Sequence, residues 1–159
     1  MKRVLAFLAG VLCILAVVCV LIYVFLLKPL IPKDPVLEFL PKYETREFYT
    51  SGGFQDYTDY AKYTFGERAL NLEAHPSLRP VTREDIPEIL AYLEDFERWV
   101  DACQDFPKDS YDFRRDWLTE GDFFYLYSRY EEPEKQFWSY NVYYFRQENQ
   151  TLYYFHNNI

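Results

Sequence analysis

FFYLYSRYEEPEKQFWSYNVYYFRQENQTLYYFHNNI, residues 123–159, is the stretch on which the fold turns. Tyr, Phe and Val crowd three short runs, 123–130, 137–145 and 151–157, and these residue types suit a pleated, half-buried surface. Polar breaks part the runs. Residues 131–136 carry Pro133 and residues 146–150 carry Asn149, each a connection of hairpin length. The reading is a three-stranded antiparallel meander.

Upstream, Ile86, Ile89, Leu90, Leu93, Phe96 and Val100 recur at three- and four-residue steps, which predicts an amphipathic helix over 85–104. Asp85 is expected to cap it with Glu88 as reciprocal partner, and Pro87 falls in the first turn, where its missing donor does no harm. The sheet face against this helix is expected to carry Phe124, Leu126, Val142, Tyr144, Leu152 and Tyr154. A sheet with a segregated helix makes the domain α+β. Between 44 and 65 two periods compete. Ser51, Gly52 and Gly53 mark a turn, and the Tyr and Thr around it favour a strand on each side. Tyr57, Tyr60 and Tyr63 stand three apart, as in a helix over 54–65. A helical turn is expected over 111–118.

The amino-terminal part has another character. From Val4 to Leu27 no side chain is charged, an amide or proline, and about 20 such residues suffice for a hydrocarbon core about 30 Å thick. One transmembrane helix is expected over 4–27, closed by Pro29 and Pro32. The apolar run is too long, and too poor in small-x-small sites, for a cleavable leader, so the expectation is an uncleaved signal anchor. Lys2 and Arg3 abut the span, which places residues 1–3 in the cytoplasm and the domain outside it as a single-pass membrane protein. Ala6 and Gly10, four apart, are ordinary for an anchor. Residues 28–41 read as a proline-containing stalk, and 42–159 as one domain of common size.

Thirteen basic and 25 acidic residues follow position 33, a net charge of −12, and that surface excludes nucleic acid as a partner. Thirty of the chain's 33 aromatic residues also follow the anchor, so the segment is no disordered tail. A small sheet with one or two helices is not expected to bury that many rings, and the surplus predicts an exposed aromatic patch. Cys103 alone lies outside the anchor, so no internal disulfide forms there.

Chemistry-bearing motifs are sparse. There is no metalloprotease helix, nucleophile elbow, phosphate loop or paired C-x-x-C, and the sequence calls for neither a metal nor a cofactor. His75 precedes a proline and His156 ends the last run. Cys103 with His156 is a conceivable pair, though a lone cysteine closing an apolar stripe is ordinary core. The acids at 101, 105, 109, 112 and 116 lack the ligand spacing of a calcium loop. Asp56 and Asp59, set among Tyr57, Tyr60 and Tyr63, are the candidate carboxylates for acid and base work on a sugar, and those tyrosines are the candidate binding rings. Asn149–Gln150–Thr151 is an N-x-T triplet on an expected turn. Two functions follow. The first is a noncatalytic, membrane-anchored interaction module that presents an acidic, tyrosine-rich domain to a protein or cell-wall glycan. The alternative is a small surface enzyme acting on carbohydrate through the two carboxylates.

Overall fold

The computed structural model describes residues 2–23, 33–53, 56–66 and 70–159, with residues 2–11 described by their backbone alone. The chain divides into two compact units that meet between Asp34 and Pro35.

The first unit is a helix, α1 (Lys2–Ile22). Leu12, Ile14, Leu15, Val17, Val18, Val20, Leu21 and Ile22 are all exposed, and at 100° per residue they point in every direction around the axis. No face of this stretch is buried. Its described side chains cover about 18 Å at 1.5 Å per residue, and among the described residues no helix is long and apolar enough to cross a membrane. Residues 24–32, which hold the expected end of the span, its proline stop and the start of the stalk, lie outside the described residues.

The second unit is α+β. Its six-stranded sheet comprises β1 (Thr45–Gly52), β2 (Tyr57–Thr64), β3 (Arg79–Pro80), β4 (Phe123–Ser128), β5 (Ser139–Arg146) and β6 (Thr151–Asn158), and every neighbouring pair is antiparallel. The order across the sheet is β1-β2-β6-β5-β4-β3. The expected meander is therefore present, and the 44–65 stretch is a hairpin that adds to its β6 side. Strand geometry wins over the three-residue tyrosine spacing because alternation across β2 buries Tyr60 on one face and Ala61 and Tyr63 on the other.

One helix, α2 (Ile86–Ala102), packs on the first face with Ile89, Tyr92, Leu93, Phe96 and Val100 turned inward. Asp85 holds the N-cap position as expected, but its side chain makes no bond to the helix's own first turn; its carboxylate accepts the N–H (2.9 Å) and hydroxyl (2.6 Å) of Thr82, one turn ahead of the helix, and pairs with Arg79 at 2.6 Å. In place of one turn over 111–118 there are short 3-10 turns at Lys108–Ser110 and Arg115–Trp117.

Phe124, Leu126, Val142 and Tyr144 do face α2, together with Tyr60, Tyr140, Tyr153 and Phe155. Leu152 and Tyr154 do not. The β5–β6 turn ends at Gln150 with φ 52°, and the register it sets places Tyr153 opposite Tyr144 and Phe155 opposite Val142, which turns Leu152 and Tyr154 to the second face. Tyr-Tyr-Phe without polar alternation gave no phase to read.

The second face is covered at one end only. Val36, Leu40, Tyr43, Phe65, Leu72 and Leu78 pack there on Ala61, Tyr63, Phe123, Phe145 and Leu152. With layers on both sides the sheet absorbs far more rings than a one-sided sheet would. Tyr60, Tyr140, Tyr144, Phe96, Phe124, Phe145 and Phe155 are among its fully buried side chains.

Many of the rings are tyrosines because their hydroxyls reach acids at the rim of the α2 layer. Tyr60 donates to Asp112 at 2.7 Å, Tyr111 to Glu97 at 2.9 Å, Tyr140 to Asp95 at 3.1 Å and Tyr144 to Asp122 at 2.6 Å. Burial pushes all four phenols well above their ordinary pKa, and the carboxylate each one meets pushes the same way. These hydroxyls stay protonated and act as donors. Acidity and tyrosine content are two halves of one device.

Candidate functional site

Three rows of side chains cross the second face, by strand register, the first along the margin of its covering layer and the next two beyond it. Phe48, Ala61, Tyr154, Tyr143 and Tyr125 form the first, Thr50, Asp59, His156, Asn141 and Tyr127 the second, and Gly52, Tyr57, Asn158 and Ser139 the third. The middle row is polar at its centre with rings above and below. Phe48 and Tyr127 are exposed at 42 % and 49 %, and Tyr57, Asn141, Tyr154 and Tyr125 are half-buried.

The rings fit against one another. Tyr57 lies 5.0 Å from the His156 imidazole, Tyr154 is parallel to that imidazole at 6.1 Å, and Tyr143 contacts Tyr154 at 4.6 Å. Tyr154 donates its hydroxyl to the Asn141 side-chain oxygen at 2.8 Å, which fixes the amide's direction. His156 Nδ1 lies 2.8 Å from the Tyr140 carbonyl, so this nitrogen carries the proton and donates. Burial pulls the imidazole below its ordinary pKa against the opposing pull of the Tyr140 carbonyl and the Asp59 charge. The ring is then neutral, with Nε2 as an acceptor.

Asp59 sits directly across from His156 and is 9 % exposed. Its Oδ1 is buried and has no hydrogen-bond partner among the described residues. A buried, unsatisfied acceptor costs about 1–3 kcal/mol. The row therefore offers a carboxylate oxygen, an imidazole acceptor and an oriented amide between aromatic walls. That set can hold a ligand bearing several hydroxyl or amide donors.

The sequence candidates divide between locations. Asp56 lies exposed in the β1–β2 turn, where its carbonyl accepts the Gly53 N–H at 2.9 Å. Tyr57 and Asp59 belong to the row just described. Tyr60 is fully buried on the α2 face, and Tyr63 is buried beneath Tyr43 at the covered end of the second face. Cys103 packs against the α2 core while His156 faces the other side of the sheet, so these two do not meet. His75 is a structural knot: its Nε2 donates to the Val36 carbonyl at 2.9 Å and its Nδ1 accepts the Ser77 and Leu78 N–H groups. Asn149 is exposed on the β5–β6 turn. Among the described residues no group of three or more His, Cys, Asp or Glu side chains is placed to hold a metal ion.

Compared with protein-family models, curated proteins and solved structures, the chain matches none of them. The site's residues therefore rest on geometry alone. Sequence reading missed His156, Asn141 and Tyr154 as neighbours of Asp59 because only the β2–β6 and β5–β6 registers bring them together.

A second concavity lies at the covered end of the same face, about 470 Å³ in volume and lined by Pro41, Lys42, Tyr43, Glu44, Phe65, Gly66 and Leu70.

Proposed function

We propose that this chain is a membrane-anchored, noncatalytic binding module whose recognition surface is the uncovered end of the second sheet face. The ligand class that fits best is a neutral glycan segment: pyranose rings stack on Tyr57 and Tyr154, hydroxyls donate to Asp59 and His156, and the Asn141 amide, whose oxygen is held by Tyr154, donates its N–H to a ligand oxygen. The observation that carries this reading is Asp59 Oδ1, buried and without a hydrogen-bond partner among the described residues, on the same face as rings that remain half-open to solvent. Unsatisfied buried acceptors are rare in folded proteins, and a bound donor would remove the cost. The enzyme alternative needs two carboxylates at a fixed separation across a bond. Asp56 in an exposed turn and Asp59 buried on a strand face favour the binding reading.

Anchoring is supported by the 24-residue run from Val4 to Leu27 without a charge, and by the apolar side chains that leave α1 no aqueous face. Lys2 and Arg3 beside the run support a cytoplasmic amino terminus and an outward domain.

Full-length protein in nanodiscs, titrated calorimetrically with a panel of soluble neutral and amino-sugar oligosaccharides, tests the ligand class. Binding that is lost in Asp59→Asn and Tyr154→Ala, with unfolding midpoints retained, is the expected result. Failure of the whole panel, or binding indifferent to both substitutions, sinks the reading. Topology is tested separately with an impermeant thiol reagent on intact cells. Labelling of Cys103 without lysis, under mildly unfolding conditions, is expected, whereas labelling only after lysis reverses the orientation.

A further inference from the structure

The two edges of the sheet are built differently. β3 is two residues long, Arg79–Pro80, and the proline has no N–H to offer, so that edge cannot recruit another strand. β1 runs for eight residues, Thr45–Gly52, without a proline, and all of its side chains except those of Tyr49 and Ser51 are exposed. Among the described residues it has a strand neighbour on one side only.

Which backbone groups face outward follows from the ladder. Gly53 donates its N–H to the Asp56 carbonyl, and stepping two residues at a time makes Ser51/Thr58, Tyr49/Tyr60 and Glu47/Lys62 the pairs that exchange bonds. Arg46, Phe48 and Thr50 therefore turn their N–H and C=O groups away from β2. On the same residues, Phe48 is 42 % exposed, and the Arg46 guanidinium lies over its ring at 4.9 Å.

We propose that β1 is a homodimerisation edge, pairing antiparallel with β1 of a second copy about a two-fold axis at Phe48, so that two six-stranded sheets join. Only residues whose bonds point outward can pair across the axis, and the axis at Phe48 sets Phe48 against its own copy, Arg46 against Thr50 and Glu47 against Tyr49. Both exposed rings are covered, and no like charges oppose. An axis at Glu47 would set Glu47 against itself. The strand carries one cation and one anion, and Glu47 is already tied to Lys62 at 3.0 Å. β1 is thus an electrically balanced stretch on a domain of net charge −12, where two copies can approach most closely. Self-complementarity favours a second copy over an unrelated strand, since a two-fold interface needs the same patch to satisfy itself.

Cysteine cross-linking of the full chain in native membranes tests the register, with Cys13, Cys19 and Cys103 replaced by serine. Phe48→Cys should form a disulfide-linked dimer under mild oxidation, because paired Cα atoms across such a ladder stand about 5.5 Å apart. Arg46→Cys and Thr50→Cys should each stay monomeric alone and cross-link to one another when coexpressed. Phe48→Lys, which faces two ammonium groups at the axis, and Thr50→Pro, which removes an outward N–H without touching the β2 ladder, should both abolish the dimer in sedimentation velocity of the detergent-solubilised chain. Equal cross-linking at all three positions would mean random collision and would overturn the proposal. So would a monomer at every concentration in the unsubstituted chain, or a dimer that persists in Phe48→Lys with the fold intact.

Discussion

Replacing Asp59 by valine should stabilise the domain while abolishing its ligand binding. The side chain is 9 % exposed, and its Oδ1 is buried without a partner among the described residues, so that oxygen has lost water without gaining a donor there. Removing such a group recovers about 1–3 kcal/mol, and a β-branched residue in a strand adds a few tenths more. Each kcal/mol moves the midpoint of a domain this size by about 3–5 °C, so thermal unfolding followed by near-ultraviolet circular dichroism should shift upward by about 3–15 °C. The same substitution removes the negative charge that supports protonation of His156, so the imidazole should titrate still lower in NMR. A lowered unfolding midpoint would refute the reasoning, because it would mean that Asp59 holds the fold together and that its position needs no ligand to explain it.

Tyr144→Phe should cost about 2–3 kcal/mol in urea unfolding, since it takes the hydroxyl partner from Asp122 Oδ2, leaving that carboxylate only the Gln147 N–H on Oδ1, and removes the acceptor of the Thr119 N–H. Tyr49→Phe, whose hydroxyl meets the exposed Glu47, should cost under about 0.5 kcal/mol. Burial raises the Asp95 pKa despite Tyr140 and Arg98, so its contribution is present in acid and is lost as pH rises through the raised folded value. Asp95→Asn should therefore be near neutral or stabilising at pH 7 and destabilising only in acid, as read from urea midpoints across pH. The depressed His156 works the other way, contributing stability above about pH 6.5 that is lost as pH falls through its folded value. That slope should vanish in His156→Asn. Gly52 has φ +106°, and a Cβ there would collide with the Asp56 carbonyl, so Gly52→Ala should lower stability by about 1–3 kcal/mol in the same assay.

The α2 stripe was legible because a helix on a sheet is apolar on one side only, and Ile89, Leu93 and Phe96 carry that pattern without help from distant residues. The meander was legible for a similar reason, since Pro133 and Asn149 break runs that nothing else in the chain resembles. The phase of β6 was not. Tyr153, Tyr154 and Phe155 are buried or half-buried on opposite faces, and two-sided burial erases the alternation from which phase is read. The expected surplus of exposed rings also proved too large, because Val36, Leu40, Tyr43, Phe65, Leu72 and Leu78 cover one end of the second face and were not foreseen as a layer. Among the described residues of the domain the exposed rings are Phe39, Phe48, Tyr127 and Trp138, of which Phe48 and Tyr127 flank the half-buried Tyr57 and Tyr154 at the open end. Asp59 was singled out from its local neighbours, but what surrounds it was hidden. Asp59 and His156 stand opposite each other through strand pairing, and local sequence encodes no such distance.

That pairing also governs the order in which the domain can assemble. β2 finds its partner in β6, 87 to 101 positions further along, whereas β4, β5 and β6 pair with near neighbours. During synthesis the first hairpin emerges early and has only itself to pair with, which is marginal for two strands in water. It must wait, with β2's outer ladder unfilled, until nearly a hundred more residues have left the ribosome. A chain held open in this way stays unfolded for much of its synthesis. The same delay leaves β2 exposed to capture by any other free strand, so the domain's yield should depend on chaperone supply more steeply than its final stability would suggest.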